Sequence, residues 1–422
     1  MSMDVTFLGT GSAYPSPHRG ASALVLRTEG ECWLFDCGEG TQTQLMKSQL
    51  RAGRITKVFI SHLHGDHLFG LPGLLCTVSL NTSCDPQQTL NCVDIYGPRV
   101  HELEPTSDQS SEEGQLSAER QLPRQVSSSC LRYRHLPRQV SGSCFRYRQL
   151  PRQVSGSCLR YRQLPRQVSG SCLRYRQLPR QVSGSCLRYR QLPRQMTAEH
   201  GPLHPQEQPG RTISLDVSSD SYLLFEDKKF VVKAFRLFHR IPSFGFCVQE
   251  HDRPGRLKTE LLKELGLKPG PLYGRLKAGD PVTLESGYVI LPSEVLEEAI
   301  PGRKVCILGD CSSIVGEGPL MLCSGADLLV HEATLGNEQR EKAVDHGHST
   351  PEMAAAVARA CCARRLVLYH FSQRYKPCSL QKEGDEDDVS ELKSQAEDAL
   401  QDSGIEVTLA EDFLTLPVPL KR

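Results

Sequence analysis

Ser61-His62-Leu63-His64-Gly65-Asp66-His67-Leu68 sets three imidazoles and a carboxylate within six residues. That donor set suits a divalent transition metal, zinc above all. The run before it, Lys57-Val-Phe-Ile-Ser61, is apolar and β-branched, which predicts a motif standing at the end of a buried strand. Alternate side chains of an extended segment share a face. His62, His64 and Asp66 are therefore expected together, with His67 turned away to begin a second site. A surface loop with incidental histidines is the competing reading, and HxHxDH after an apolar strand disfavours it.

Working outward, other apolar runs end beside a metal-competent residue. Phe230-Val-Val-Lys-Ala-Phe-Arg-Leu-Phe reaches His239, Lys304–Leu308 reaches Gly309-Asp310, and Leu366–Tyr369 reaches His370. Strand ends gathered on one sheet edge make an open polar site. His62, His64, Asp66, His67, His239, Asp310 and His370 are seven candidate ligands, enough for two ions sharing a carboxylate. His348 differs: it lies in His346-Gly-His-Ser-Thr350, where Ser349 or Thr350 is placed to cap a helix beginning near Pro351. There it suits a proton donor to a leaving oxygen, with Glu332 of His331-Glu-Ala-Thr334 as its carboxylate partner.

The 422 residues allow one to three domains. Of the 50 Lys and Arg, sixteen are Arg within residues 121–195, which hold no Lys, Asp or Glu; elsewhere 34 basic residues face 49 acidic ones. A polyanionic substrate must therefore be met by metals and local basic patches rather than by the overall field. The 17 Cys show no disulfide-like spacing, no charged-then-apolar leader opens the sequence, and no run of about 18 apolar residues would span a membrane. The expectation is a cytoplasmic or nuclear chain without membrane contact.

Residues 1–98 read as strands Asp4–Leu8, Ala21–Arg27 and Glu31–Phe35, a short helix at Gln42–Ser48, the motif strand, a helix at Leu71–Leu80 and a strand at Val93–Tyr96. Residues 99–210 read as an insertion. From Gln121 a 14-residue unit, QLPRQVSGSCLRYR in its commonest form, repeats in near-identical copies. Rich in Pro, Ser, Gly and Arg, it is expected to be disordered; Arg-Tyr-Arg groups binding RNA by charge and stacking are the alternative. Residues 211–422 return to strands and helices. Within them about 249–300 read as a protruding arm, with an amphipathic helix at Lys258–Leu265 and then a Gly-, Pro- and Lys-rich stretch.

Phe7-Leu-Gly-Thr-Gly11, His62-Leu-His-Gly-Asp-His67, His239 with Ser243-Phe-Gly-Phe246, Gly309-Asp310, His331-Glu-Ala-Thr334, His348-Ser-Thr350 and His370-Phe-Ser-Gln-Arg-Tyr375 together resemble the metallo-β-lactamase superfamily. Within it they resemble the short-form tRNase Z, or ElaC-type, zinc phosphodiesterases. The resemblance implies an α/β fold, the αβ/βα sandwich, with two Zn2+ per subunit at its edge. By it His62, His64 and His239 hold one ion, Asp66, His67 and His370 the other, and Asp310 bridges. Asp66 would also be the general base, and His348 with Glu332 the acid. The implied reaction removes the 3′ trailer of precursor tRNA and leaves a 3′-hydroxyl. Pro15-Ser-Pro-His-Arg19 resembles the loop that senses the tRNA 3′ end, and Lys268-Pro-Gly-Pro-Leu-Tyr-Gly274 the tip of a tRNA-binding arm. A homodimer is implied. After Pro98 the sequence departs from the family, since the helix and strand expected there are not legible. Two alternatives stand beside this reading: another phosphodiesterase or thioesterase of the superfamily, and an inactive form whose repeats bind RNA.

Overall fold

The computed structural model describes residues 2–80, 93–98, 210–381 and 387–421, with the backbone of short strands between 125 and 189. The rest of the predicted insertion, including the segment just after Pro98, lies outside the described residues. Chain contacts separate Met1–Arg134 with Gln208–Arg422 from His135–Glu207, and the first of these units carries every candidate residue.

Two large sheets, with two small two-stranded ones beside them, stand among the described residues of that unit. The first runs Thr415–Pro417, Asp4–Gly9, Ala23–Arg27, Cys32–Phe35, Ile55–Phe59, Asp94–Tyr96 in spatial order. The second runs Tyr222–Glu226, Phe230–Phe238, Ser243–Glu250, Lys304–Leu308, Leu328–Glu332, Arg365–Tyr369, Glu406–Leu409, with Ser313–Ile314 added on Phe230–Phe238. Their strands are apolar on both faces because both faces are covered. Phe7, Trp33, Phe35 and Phe59 of the first sheet meet Phe246, Ile307, Val330 and Tyr369 of the second in one core. The alternate residues Leu8, Val25, Leu34 and Val58 pack outward with Leu45 and Leu74 of the helices Thr41–Lys47 and Leu71–Leu80. On the far side Cys306, Leu329, Leu366 and Leu368 pack with Ala354, Ala358, Leu392 and Ala396 of the helices Pro351–Ala360 and Val389–Ala399. The layers are helix, sheet, sheet, helix: the αβ/βα sandwich that the resemblance implies.

Ile55–Phe59 runs parallel to Cys32–Phe35, and Lys304–Leu308, Leu328–Glu332 and Arg365–Tyr369 run parallel to one another. The carboxyl ends of these strands, where the candidate residues stand, therefore fall on common sheet edges.

The arm is more structured than its composition suggests. Thr259–Glu264 is a helix, as expected, but Pro271–Lys277 is a second one, started by proline at its first position. Leu262, Leu267, Leu276, Val282, Ile290 and Val295 form a small core of their own. At its base Arg303, 3% exposed, makes a two-pronged ion pair with Glu250, 8% exposed. Burial alone would raise the Glu250 carboxyl, but hydrogen bonds from Arg303 and its charge outweigh that and hold it below the usual value. Breaking such a pair leaves a buried charge alone, at about 3–5 kcal/mol. Glu250→Gln should lower unfolding free energy by that amount at pH 7. A carboxyl lowered in the folded state contributes stability above its unfolded pKa and loses it as pH falls through the folded one. The gap between wild type and variant, read by urea unfolding, should therefore close on acidification below about pH 4.

Candidate metal centre

The strand Ile55–Phe59 ends two residues before Ser61, and the backbone stays extended through His64 before one helical turn, Gly65–Leu68. That turn corrects the expected alternation. Asp66 does not share a face with His62 and His64; it shares the turn with His67 and groups with it. The turn is fixed from behind by the loop after Phe35. Cys37 N donates to His67 O at 2.8 Å and Gly70 N to Cys37 O at 2.8 Å. A Cβ on Gly38 would lie 2.2 Å from Asp66 O, so only glycine permits this approach.

His239 follows Phe230–Phe238, Asp310 follows Lys304–Leu308, and His370 follows Arg365–Tyr369 with a left-handed φ of 58°. Such backbone costs a non-glycine residue about 1–2 kcal/mol and is held here by its surroundings. His331 and Glu332 close the strand Leu328–Glu332 rather than standing past it.

All seven candidate ligands converge. His64 Nδ1 lies 3.0 Å from His62 Nε2 and 3.2 Å from His239 Nε2. Asp310 Oδ2 is 3.6 Å from His62 Nε2. In the second group His370 Nε2 is 3.2 Å from His67 Nε2 and 3.4 Å from Asp66 Oδ2. Asp310 Oδ1 lies 3.3 Å from His67 Nε2 and 3.2 Å from His370 Nε2. Asp310 thus turns one oxygen to each group.

The donor set fits zinc. Ligand atoms 2.0–2.1 Å from a tetrahedral ion stand about 3.3 Å apart, the spacing seen here. Asp310 Oδ1 is buried without a hydrogen-bond partner. The outer nitrogens of four imidazoles are committed elsewhere: His62 Nδ1 to Ser61 Oγ at 3.0 Å, His67 Nδ1 to Asp36 Oδ2 at 2.8 Å, His239 Nδ1 to Gly347 O at 2.6 Å and His370 Nδ1 to Thr334 Oγ1 at 3.0 Å. Donating there, each ring presents its other nitrogen as a lone pair. Burial holds His62, His64 and His239 below the usual imidazole value, His64 at about 4, which favours the neutral, ligating form. Burial would lower His67 too, but the charges of Asp310, Asp36 and Asp66 raise it. That concentration of negative charge is what a divalent cation neutralises.

His348 stands just before the helix Pro351–Ala360, for which Thr350 is the N-cap residue, without a side-chain cap bond. Its Nδ1 is 3.0 Å from Glu332 Oε1. Glu332 also accepts from Cys311 N, Thr334 Oγ1 and Ser349 N at 2.8, 2.6 and 3.0 Å. Asp310, Glu332, His348 and His370 are close enough to look like a third ion group. With four donors on Glu332, its carboxylate is occupied in orienting His348 instead. Burial lowers the His348 pKa, and the charge and hydrogen bond of Glu332 more than reverse this, to about 9.

A beta-lactamase superfamily domain model matches residues 278–371, and a model of anti-Pycsar protein Apyc1 matches residues 3–95. Zinc phosphodiesterase ELAC protein 1 of Homo sapiens is 49% identical over 444 aligned residues, spanning 100% of both chains. The chain belongs to the short-form tRNase Z family. Ribonuclease Z of Crocosphaera subtropica is 32% identical over 99% of this chain and 98% of its own. The crystal structure of human tRNase Z, short form, covers 99% of this chain and 100% of its own at 38% identity and a TM-score of 0.51.

Two residues of this tRNase Z family member carry structural duties that the motif reading did not assign. Asp36, itself left-handed at φ 57°, accepts from Ser61 N, Ser61 Oγ and His67 Nδ1. Thr334 links Glu332 to His370 through one hydroxyl. A carboxylate at the end of the strand next to the motif strand was the available sign for Asp36. Asp36→Asn should weaken zinc binding about 10–100-fold, read by competition with a chromophoric chelator.

Proposed function

We propose that the protein is a zinc-dependent endoribonuclease that removes the 3′ trailer of precursor tRNA by phosphodiester hydrolysis, leaving a tRNA 3′-hydroxyl. The observation that carries this reading is Asp310, which offers one oxygen to each of two ligand groups, beside the oriented His348–Glu332 pair. His62, His64 and His239 would hold one Zn2+, Asp66, His67 and His370 the other, and Asp310 would bridge. Two ions so placed supply a nucleophile near neutral pH and charge stabilisation for the displacement. Asp66, rigidly held, would take the proton of the attacking water. His348, kept protonated by Glu332, would give its proton to the 3′ oxygen of the tRNA. Burial of Glu332 at 0% exposure keeps it from competing for substrate.

The arm supports an RNA rather than a small substrate. Residues 253–277 carry seven basic and two acidic side chains, whereas 280–298 carry five acidic and no basic ones. Arg256, Lys258, Lys268, Arg275 and Lys277 are exposed. Lys268→Glu with Arg275→Glu should raise KM for precursor tRNA about tenfold at low salt, flatten its salt dependence, and leave hydrolysis of bis(p-nitrophenyl) phosphate unchanged. The active form is proposed to be a homodimer, which sedimentation at micromolar concentration reads. The deciding experiment is cleavage of a precursor tRNA with a 3′ trailer, with and without chelator. Chelator-insensitive cutting, or none by zinc-replete protein, sinks the proposal.

A further inference from the structure

Gln373 takes no part in the reaction set out above, yet it reaches the loop that touches Asp66. Its Nε2 donates to Ser12 O at 3.1 Å and to Tyr14 O at 2.5 Å. Two carbonyls face that end of the amide, so the nitrogen is the end that fits. Gln373 Oε1 is buried without a partner, so the side chain is held by its donor end alone. Between the two carbonyls, Ala13 N donates to Asp66 Oδ2 at 2.7 Å. The same oxygen lies 3.4 Å from His370 Nε2 and 3.5 Å from His67 Nε2.

The turn at Ala13 needs this support. Ala13 has a φ of 68°, which disfavours a residue with a Cβ by about 1–2 kcal/mol. Its own side chain is exposed, as are Tyr14, Pro17 and His18. Apart from the Gln373 amide, the backbone here is tied by Ser12 N to Phe371 O at 2.9 Å and Tyr14 N to Ser12 O at 2.8 Å. Gly11 makes room: a Cβ there would stand 2.4 Å from Gln373 Nε2. Gln373 lies three residues after His370, so one strand-exit loop supplies a candidate ligand and also grips the segment that holds its neighbour.

We propose that Gln373 is a positioning residue for Asp66, clamping residues 12–14 so that Ala13 N–H fills one lone pair of Asp66 Oδ2 and aims the other at the second ion group. A carboxylate left to itself rotates broadly about its last bond. A charge-assisted hydrogen bond from a fixed backbone donor removes that freedom. The inference rests on the reading of Asp66 as a ligand.

Two variants reach the same clamp from opposite sides: Gln373→Met keeps the length without the donors, and Gly11→Ala puts a methyl where the amide sits. Three readouts apply: the visible spectrum of the cobalt-substituted protein, hydrogen exchange of peptides spanning residues 10–16 and 23–27, and kcat and KM for trailer cleavage. Each variant should retain two metals, exchange about tenfold faster at 10–16 but not at 23–27, show a shifted cobalt band, and lose about 10–100-fold in kcat with KM within twofold. The double variant should be no worse than the poorer single one. Unchanged exchange at 10–16, an unchanged cobalt band, or equal acceleration in both peptides overturns the proposal. Wild-type protein that binds cobalt without cutting precursor tRNA defeats the functional reading instead, while the spectrum and exchange still decide the role of Gln373.

Discussion

His64→Ala should slow trailer removal by about 10³-fold or more and leave fewer than two zinc ions per chain. The ions contribute several kcal/mol to the transition state, and each 1.4 kcal/mol is a factor of ten. His64 Nδ1 sits between His62 Nε2 and His239 Nε2, so its loss removes the centre of one ligand group. The side chain is half-buried and belongs to none of the apolar cores. Circular dichroism at saturating zinc should therefore be unchanged. Gel assays on a precursor tRNA, with zinc measured by mass spectrometry, read both quantities. Near-normal cleavage by protein holding a single ion would remove the two-ion reading.

His348→Ala should lower kcat about 10²–10⁴-fold with KM and zinc content unchanged. It stands outside the two ligand groups proposed for the ions and, on the proposed reading, would act through the proton that Glu332 holds on it. The loss should depend on the leaving group. An RNA 3′ oxygen departs as a strong base and needs the proton, whereas p-nitrophenolate does not. Hydrolysis of bis(p-nitrophenyl) phosphate should thus fall by less than tenfold. Equal losses on both substrates would mean that His348 positions rather than protonates. Glu332→Gln is a poorer test of the same point, because Glu332 also accepts from Cys311, Thr334 and Ser349 and its change disturbs three loops.

Strand ends were legible because apolar runs with a polar stop are local signals. His239, Asp310 and His370 stand where such runs end. The helical turn Gly65–Leu68 was not legible. It has no side-chain cap and is set by backbone contacts with Cys37 and Gly38, about thirty residues earlier. For the same reason Asp66, expected on one face with His62 and His64, instead groups with His67. Asp36 and Thr334 act across 31 and 36 residues, through hydrogen bonds that no spacing rule announces. In the arm, Pro271 was a helix-start signal hidden among glycines and prolines, and the helix it starts is stabilised by the small core around Leu276.

Each proposed ion draws on both halves of the chain. His62 and His64 come from before the insertion and His239 from after it; Asp66 and His67 come from before it and His370 from after it. The ions would therefore be cross-links between two sheets, and zinc availability enters the stability of the whole assembly by mass action. Free zinc at a hundredfold its dissociation constant adds about 2.7 kcal/mol per site, and that contribution vanishes when the metal is scarce. A chain connection between the sheets runs from Glu406–Leu409 of the second sheet to the carboxyl-terminal strand Thr415–Pro417, which pairs with Asp4–Gly9. A metal-starved chain would keep that tether while losing the ion clamps, so shortage would be felt as shortened lifetime of the protein as well as lost turnover.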